Sequence, residues 1–231
     1  MSHCSDYCNL LIDADDTLWE NNIYFERVIA DVQALLRPLG VDPKSFRLHL
    51  NQKESEHIPV YGYGTLNFTR SLVETFEAFL PQHTDGDLTE KVESMALGIM
   101  HHPMEILEGV PETLDYLSDR HSLALVTKGS PGEQTKKIEA SGLRHYFKEV
   151  EILDEKNENV YRSLLAKHGW EADRTWMIGN SPRSDINPAI GAGLNAVFIP
   201  HPHTWVLEHE EPVQHPRLIE LERFSDLRTR F

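Results

Sequence analysis

The chain has 231 residues, of which 40% are hydrophobic and 26% are charged, a balance that suits one globular domain or a domain with a smaller insertion. Its 37 acidic and 22 basic side chains leave a net charge of −15, which argues against non-specific binding to nucleic acid or to an anionic membrane surface. No apolar run approaches the roughly 20 residues of a membrane-spanning helix, and residues 1–8 show no secretory pattern, so we expect a cytoplasmic protein without nucleic-acid or membrane partners.

The first half of the chain predicts one strand followed by helices. Residues 9–14 form a short apolar run that ends in acidic side chains, which is typical of a buried strand whose end meets a polar site. Apolar residues then recur at helical spacing over residues 25–39, 72–80 and 88–99. We therefore expect three helices and no strand over residues 20–105.

The second half of the chain alternates strands with helices. Helices are predicted between successive strands, the last of them over residues 184–193, and a surface loop over residues 201–216. This β-α-β-α-β-α-β order is typical of a parallel sheet with right-handed crossovers. The first strand joins this sheet, so we predict one α/β domain from residues 1–20 and 107–231, with residues 21–106 as a helical insertion. The strands are predicted at residues 123–127, 148–153, 175–179 and, as the last of the chain, 196–199.

Polar side chains follow each predicted strand. In an open parallel sheet, ligands bind beyond the carboxyl ends of the strands, where these side chains gather. Crowded carboxylates can hold a hard cation such as Mg²⁺, and a lysine beside them balances the charge of a bound phosphate. Any one of these residues alone would more often be a helix cap, but their joint occurrence favours a site. The residues are Asp13, Asp15, Asp16, Thr17, Thr127, Lys128, Gly129, Ser130, Lys156, Asn180, Ser181, Asp185, His201 and His203.

Four short motifs resemble those of the haloacid dehalogenase superfamily in its phosphatase form. Residues 13–18 match the D-x-D-x-T pattern, and Thr127 at a strand end is similar to the second motif. Lys156 stands where the third motif has its lysine, and residues 178–186 are similar to the acidic fourth motif. The resemblance implies a Rossmann-like, three-layer α/β/α core with a parallel sheet, and it identifies residues 21–106 as a small all-helical cap domain.

The motifs depart from the family pattern at three positions. The fourth motif has Asn180 where the family has an aspartate, so a metal site there would have one negative charge fewer. Lys128 takes the place of an asparagine and adds a cation near the phosphate pocket. The proline that often follows the motif-three lysine is missing after Lys156, which leaves Lys148 as the alternative.

The resemblance also implies a mechanism. Asp13 would attack phosphorus to form an aspartyl-phosphate, and Asp15 would protonate the leaving oxygen and then deprotonate water. Thr127 and Lys156 would hold the phosphoryl oxygens and stabilise the transition state. The implied ligands of Mg²⁺ are Asp13, the main-chain carbonyl of Asp15, Asn180 and Asp185.

Substrate-binding residues are predicted in both domains. Lys128 and Gly129 follow the motif-two threonine, close to the expected phosphate. Tyr61, Tyr63 and Asn67 lie in a glycine-containing stretch of the insertion, which is either a substrate loop or a plain turn between helices. The expected substrate is a small phosphorylated metabolite, such as a nucleoside monophosphate or phosphoglycolate, bound by a monomer or a homodimer.

Other functions stay open at this point. A 2-haloacid dehalogenase shares the fold and the aspartate nucleophile but needs no metal, and Asp15 argues against it. A non-catalytic relative that only binds phosphorylated ligands and a receiver-type signalling module are further alternatives. The histidines after the last strand, His201, His203 and His209, are interpreted as hydrogen-bonded surface groups, with a second metal site as the alternative.

Overall fold

The computed structural model describes residues 7–80 and 86–231. The described residues form two compact units, one from the residues through Glu20 together with Met104–Phe231, the other from Asn21–Pro103. Within the described part of the chain, no helix is both long and apolar enough to cross a membrane.

The first unit is built on a six-stranded, fully parallel sheet with the order β3-β2-β1-β4-β5-β6. This confirms the predicted α/β fold. The prediction that residues 196–199 form the last strand is wrong, because β6 pairs with β5 beyond the proline-rich loop. This strand has only three residues and lies at the sheet edge, so it leaves little apolar pattern in the sequence. The strands are β1 Asn9–Ile12, β2 Ser122–Lys128, β3 Glu149–Leu153, β4 Thr175–Gly179, β5 Asn195–Phe198 and β6 Leu218–Glu220.

Eight α-helices lie within the described residues, four in each unit. They are α1 Asn22–Leu36, α2 Pro43–Tyr61, α3 Thr65–Phe79, α4 Gly86–Leu97, α5 Val110–Ser118, α6 Pro131–Ser141, α7 Glu158–His168 and α8 Asn187–Gly191. The predicted helix over residues 184–193 is instead a π-helical turn, Pro182–Ile186, followed by the short α8.

The expectation of three helices in the insertion is wrong, because α2 is a fourth. Only Phe46, Leu50 and Glu54 are buried along its 19 residues, so its apolar stripe is too sparse to give a helical pattern. Its start has a local cause instead: the Asp42 side chain accepts a hydrogen bond from the Ser45 amide at 2.9 Å, which caps the helix.

Both faces of the sheet are buried, as expected for a three-layer fold. Leu10 and Ile12 of β1 point to one face with α5, while Leu11 points to the other face with α7. Since side chains alternate along a strand, near-continuous apolar runs are what a doubly covered sheet requires. The polar residues that follow these runs therefore leave the core together at one edge.

The helical unit has an apolar core of its own, to which all four of its helices contribute. Phe68, Leu72 and Phe76 of α3 pack at its centre with Val32 of α1 and Leu50 of α2. A bidentate salt bridge joins α2 to α1, in which Arg47 Nη1 and Nη2 donate to the two carboxylate oxygens of Glu26 at 2.6 and 2.7 Å.

Candidate active site

The chain leaves β1 in a tight turn that fixes Asp13 at the end of the strand. The Ala14 carbonyl accepts a hydrogen bond from the Leu18 amide at 2.8 Å, and the Asp16 amide donates to the Trp19 carbonyl at 2.8 Å. Asp16 has φ +59, a left-handed conformation that aspartate tolerates better than most side chains. The turn thus holds successive carboxylates at the carboxyl edge of the sheet.

Asp13, Lys156 and Asp185 form a buried triad at this edge. Lys156 follows β3, and its Nζ lies 2.5 Å from Asp13 Oδ1 and 2.7 Å from Asp185 Oδ1. Asp185 belongs to the π-helical turn after β4, and its second oxygen accepts from the Ser181 amide at 3.0 Å. A Cβ on Gly179 would lie 2.2 Å from that oxygen, so only glycine allows this close approach at the end of β4.

The triad contains one positive and two negative groups. Burial and the Asp185 carboxylate raise the pKa of Asp13 from its ordinary value of 3.8 to about 7, against the opposing effect of Lys156. Burial alone would lower the pKa of Lys156, but the carboxylates of Asp13 and Asp185 hold it well above 10.5. When all three side chains are ionised, this buried triad therefore carries one uncompensated negative charge.

Thr17 connects this triad to Asn180. Its hydroxyl donates to Asp13 Oδ2 at 3.0 Å and also lies 3.3 Å from Asn180 Oδ1. The Asn180 amide nitrogen donates to Thr204 Oγ1 at 2.9 Å, which directs Oδ1 toward the Thr17 side. Asn180 therefore presents a neutral oxygen, and not its amide nitrogen, on the side of Asp13.

A second cluster surrounds Asp15. Trp19 Nε1 donates to Asp15 Oδ1 at 2.7 Å, and Lys137 Nζ lies 3.0 Å from both carboxylate oxygens. Gln134 Nε2 donates to Asp15 Oδ2 at 3.0 Å and to Thr127 Oγ1 at 2.7 Å. Asp15 and Thr127, from different strand ends, are thus joined through one side chain.

Lys128 lies in a third cluster at the same edge. Its Nζ is 2.6 Å from Glu208 Oε1 and donates to Ser184 Oγ at 2.9 Å. Although burial opposes ionisation, Lys128 holds the pKa of Glu208 below its ordinary value. Ser181 Oγ donates to the other oxygen of Glu208 at 2.6 Å. Glu208 thus links the segment after β5 to Lys128 at the end of β2 and to Ser181 after β4.

The loop after β2 requires glycine. Gly129 has φ +142, and a Cβ at this position would lie 3.2 Å from Gln134 Cγ. Thr127 and Lys128 are the last two residues of β2, and Gly129 follows them directly. The substrate-binding roles of Lys128 and Gly129 stay predictions.

Lys148 and Lys156 lie at opposite ends of the sheet. Lys148 precedes β3, and its Nζ is bonded to the Tyr7 hydroxyl at 2.7 Å in an exposed place. Lys156 follows β3 and contacts Asp13. The geometry therefore favours Lys156 as the lysine of the site.

His201 approaches two carboxylates beside the turn after β1. Asp16, Glu20 and His201 each offer one ligand atom, and these atoms lie within 4.8 Å of one another. Burial lowers the pKa of the His201 imidazole, which favours its neutral form. His203 and His209 are not members of this group; His209 bonds the Thr204 carbonyl at 2.9 Å.

The predicted substrate stretch of the helical unit spans the junction of α2 and α3. Tyr61 is the last residue of α2, half-exposed, and the Arg70 guanidinium lies 4.0 Å from its ring centre. Asn67 lies inside α3, buried, and donates to the Gly62 carbonyl at 2.7 Å, which closes the turn. Roles of Tyr61, Tyr63 and Asn67 in substrate binding stay predictions.

The sequence-based prediction missed Gln134, Lys137, Trp19 and Glu208. Gln134 and Lys137 are three residues apart on α6, so they share a helix face, and α6 begins two residues after β2. Polar residues at this spacing, just after a strand end, are the signal that could have identified them. Glu208 lies 80 residues after Lys128 in the chain, and no local sequence pattern predicts their contact.

A model of the haloacid dehalogenase-like hydrolase family matches residues 48–199, more than half of the chain. The glyceraldehyde 3-phosphate phosphatase of Methanothermobacter thermautotrophicus is 30% identical over 122 residues, which are 48% of this chain and 54% of that protein. The phosphoserine phosphatase of Thermus thermophilus is 31% identical over 130 residues, 52% of this chain and 49% of that protein. The chain thus spans about half the length of these curated relatives.

Among solved structures, a haloacid dehalogenase-like family hydrolase from Xanthomonas campestris superposes with a TM-score of 0.84. It is 29% identical in sequence, and the match covers 95% of this chain and 88% of that one. The likeness therefore extends over nearly all of the chain, well beyond the residues that the family model matches.

Proposed function

Because the chain belongs to the haloacid dehalogenase-like hydrolases, we propose that it hydrolyses small phosphate monoesters through a phosphorylated Asp13. One observation carries this proposal: the Asp13 carboxylate is bonded to Lys156 at the sheet edge, and a second carboxylate, Asp15, follows two residues later. A dehalogenase needs only the first of these carboxylates. The phosphatase names of two relatives support the same choice.

Asp13 is the nucleophile in this proposal. One of its oxygens forms a bond to phosphorus while the bond from phosphorus to the leaving oxygen breaks. Lys156 and Thr17, which already bond the two oxygens of Asp13, keep the carboxylate in one orientation for the attack. Water then attacks the aspartyl-phosphate, which releases phosphate and regenerates Asp13.

Asp15 transfers the protons of both steps. It gives a proton to the leaving oxygen in the first step and takes one from the attacking water in the second, so the enzyme returns to its starting state. Thr127 donates its hydroxyl hydrogen to a phosphoryl oxygen, and the Lys156 ammonium stabilises the charge that spreads over the phosphoryl group.

The residues around Asp13 fit a hard divalent cation. The buried triad is short of one positive charge, and the neighbouring donors are oxygens, which Mg²⁺ prefers. Asp13, Asp185, Asn180 and the Asp15 main-chain carbonyl would hold it. When bound, Mg²⁺ shields the repulsion between the Asp13 carboxylate and the phosphate dianion.

Phosphatase activity with a chelator control tests the proposal. The protein is incubated with p-nitrophenyl phosphate and with a panel of phosphorylated metabolites that includes phosphoserine, glyceraldehyde 3-phosphate, phosphoglycolate and nucleoside monophosphates. We expect hydrolysis with Mg²⁺ and a loss of about a hundredfold or more with excess EDTA. Release of chloride from 2-chloropropionate in EDTA, without phosphate release from any ester, would instead identify a dehalogenase.

Asn180→Asp is expected to tighten Mg²⁺ binding by about tenfold, because a carboxylate replaces a neutral oxygen and affinity rises with the charge of the ligands. The gain is limited by Thr204, whose hydroxyl now accepts from Asn180 and donates to the His201 carbonyl at 3.0 Å. Calorimetric titration with Mg²⁺ measures the change. Thr204→Val alone serves as the control, and unchanged or weaker affinity in Asn180→Asp would show that residue 180 does not touch the cation.

A further inference from the structure

One buried side chain, Gln134, joins two parts of the site that the proposed mechanism uses. It belongs to α6, which begins two residues after β2, the strand that contains Thr127. Its side chain is 2% exposed, and its amide nitrogen lies 2.7 Å from Thr127 Oγ1 and 3.0 Å from Asp15 Oδ2. The same nitrogen lies 2.9 Å from the Lys128 carbonyl, so its two hydrogens are shared among three acceptors.

The orientation of the Gln134 amide follows from these partners. A flipped amide would set Oε1 at these distances from the Asp15 carboxylate and the Lys128 carbonyl, acceptor against acceptor. The nitrogen must therefore face them. Oε1 is buried without a hydrogen-bond partner among the described residues, so the contacts of Nε2 are what hold the side chain in place.

This orientation determines what Thr127 can do. Because the amide nitrogen of Gln134 cannot accept a hydrogen bond, the hydroxyl hydrogen of Thr127 points elsewhere and is left to donate, as the binding of a phosphoryl oxygen requires. At Asp15 the amide holds Oδ2, while Trp19 bonds Oδ1 and Lys137 contacts both oxygens. The carboxylate is thereby fixed from three directions.

We propose that Gln134 is a positioning residue of this active site, which holds the proton-transferring carboxyl of Asp15 at a fixed distance from the phosphoryl-binding hydroxyl of Thr127. This inference rests on the proposed function, since Asp15 protonates the leaving oxygen there. The leaving oxygen is bonded to the phosphorus that Thr127 helps to hold, so the spacing of the two residues decides whether the proton reaches it. Displacements of about 1 Å can cost a hundredfold in rate.

The leaving group of the substrate provides the test. A nitrophenolate departs without a proton, whereas an unsubstituted phenolate depends more on a general acid, and the two esters differ little in size. Gln134→Leu is expected to lower kcat/KM about tenfold for p-nitrophenyl phosphate, through Thr127, and about a hundredfold for phenyl phosphate, through Thr127 and Asp15 together. Gln134→Met is made in parallel, so that the comparison does not depend on one variant that folds.

Two further variants separate positioning from a merely structural role. Asp15→Asn gives the full difference between the two esters, and Gln134→Leu added to it is expected not to widen that difference. Thr135→Leu replaces the exposed neighbour on α6 and is expected to leave both esters unchanged. Thermal unfolding of each variant shows that it is folded.

Equal losses on both esters in Gln134→Leu and Gln134→Met would overturn the proposal, and so would no loss on either. A difference between the esters that grows when Gln134→Leu is added to Asp15→Asn would also overturn it, because Gln134 would then act independently of Asp15. If the wild-type protein hydrolysed neither ester and no member of the metabolite panel with Mg²⁺, the proposed function would fail first, and this inference with it.

Discussion

Asp13→Asn is expected to lower phosphatase activity by about four orders of magnitude or more, the scale on which covalent hydrolases lose activity without their nucleophile. An amide cannot form the acyl phosphate, and Asp15 is engaged by Lys137, Trp19 and Gln134, so it does not replace Asp13. Steady-state release of phosphate from p-nitrophenyl phosphate with saturating Mg²⁺ measures the loss.

The fold is expected to survive this change. Asparagine keeps the shape of the side chain and an oxygen that can accept from Lys156 or Thr17, and the exchange removes a buried carboxylate whose ionisation is unfavourable. Asp154→Asn is the matched control, because it makes the same exchange at an exposed position between β3 and Lys156. Activity of Asp13→Asn within tenfold of the wild type, with a freshly purified sample, would disprove the covalent mechanism.

Lys156→Met is expected to lower the free energy of unfolding by about 3–5 kcal/mol, because it leaves the buried carboxylates of Asp13 and Asp185 without their cation. Denaturant unfolding at pH 8 in EDTA measures the loss. At pH 5 the loss should be smaller, since protonation of Asp13, whose pKa is already raised to about 7, removes one of the two uncompensated charges.

Two comparisons make this result specific. Adding Asp13→Asn to Lys156→Met is expected to recover part of the lost stability, because only one buried carboxylate then remains. Lys148→Met removes a lysine at the other end of the sheet, where its contact is an exposed hydroxyl, and is expected to change stability by about 1 kcal/mol or less. A loss in Lys156→Met as small as that of Lys148→Met would show that the triad does not need its lysine.

The strand ends could be predicted from the sequence because this sheet is covered on both faces. Each of the central strands is a short apolar run that stops abruptly, as Leu10 to Ile12 stops at Asp13, so the position of the first polar residue is visible in the sequence. Parallel pairing then brings such residues to one edge. Asp13, Lys156 and Asp185 meet there for that reason.

The contacts that orient these groups could not be predicted in the same way. Gln134 and Lys137 are ordinary residues of an amphipathic helix until the rotation of α6 about its axis is known. Glu208 reaches Lys128 from a short 3-10 turn after β5, Val206–Glu208, which is too short to leave a periodic pattern in the sequence. Helix α2 and strand β6 were absent from the sequence-based prediction for a related reason. Both bury too few apolar side chains to leave a pattern in the sequence.

The strand that ends directly before Asp13 lies in the middle of the sheet, which affects how the chain folds during synthesis. Asn9 of β1 pairs with Ser122 on one side and with Thr175 on the other, so both neighbours are made long after β1. While the ribosome adds the helices in between, which can bury their own core, the apolar β1 has no partner. Asp13, the proposed nucleophile, is thus synthesised long before the two strands that enclose β1. Nascent chains arrested before residue 122 are therefore expected to expose β1 and to bind chaperones that recognise extended apolar segments.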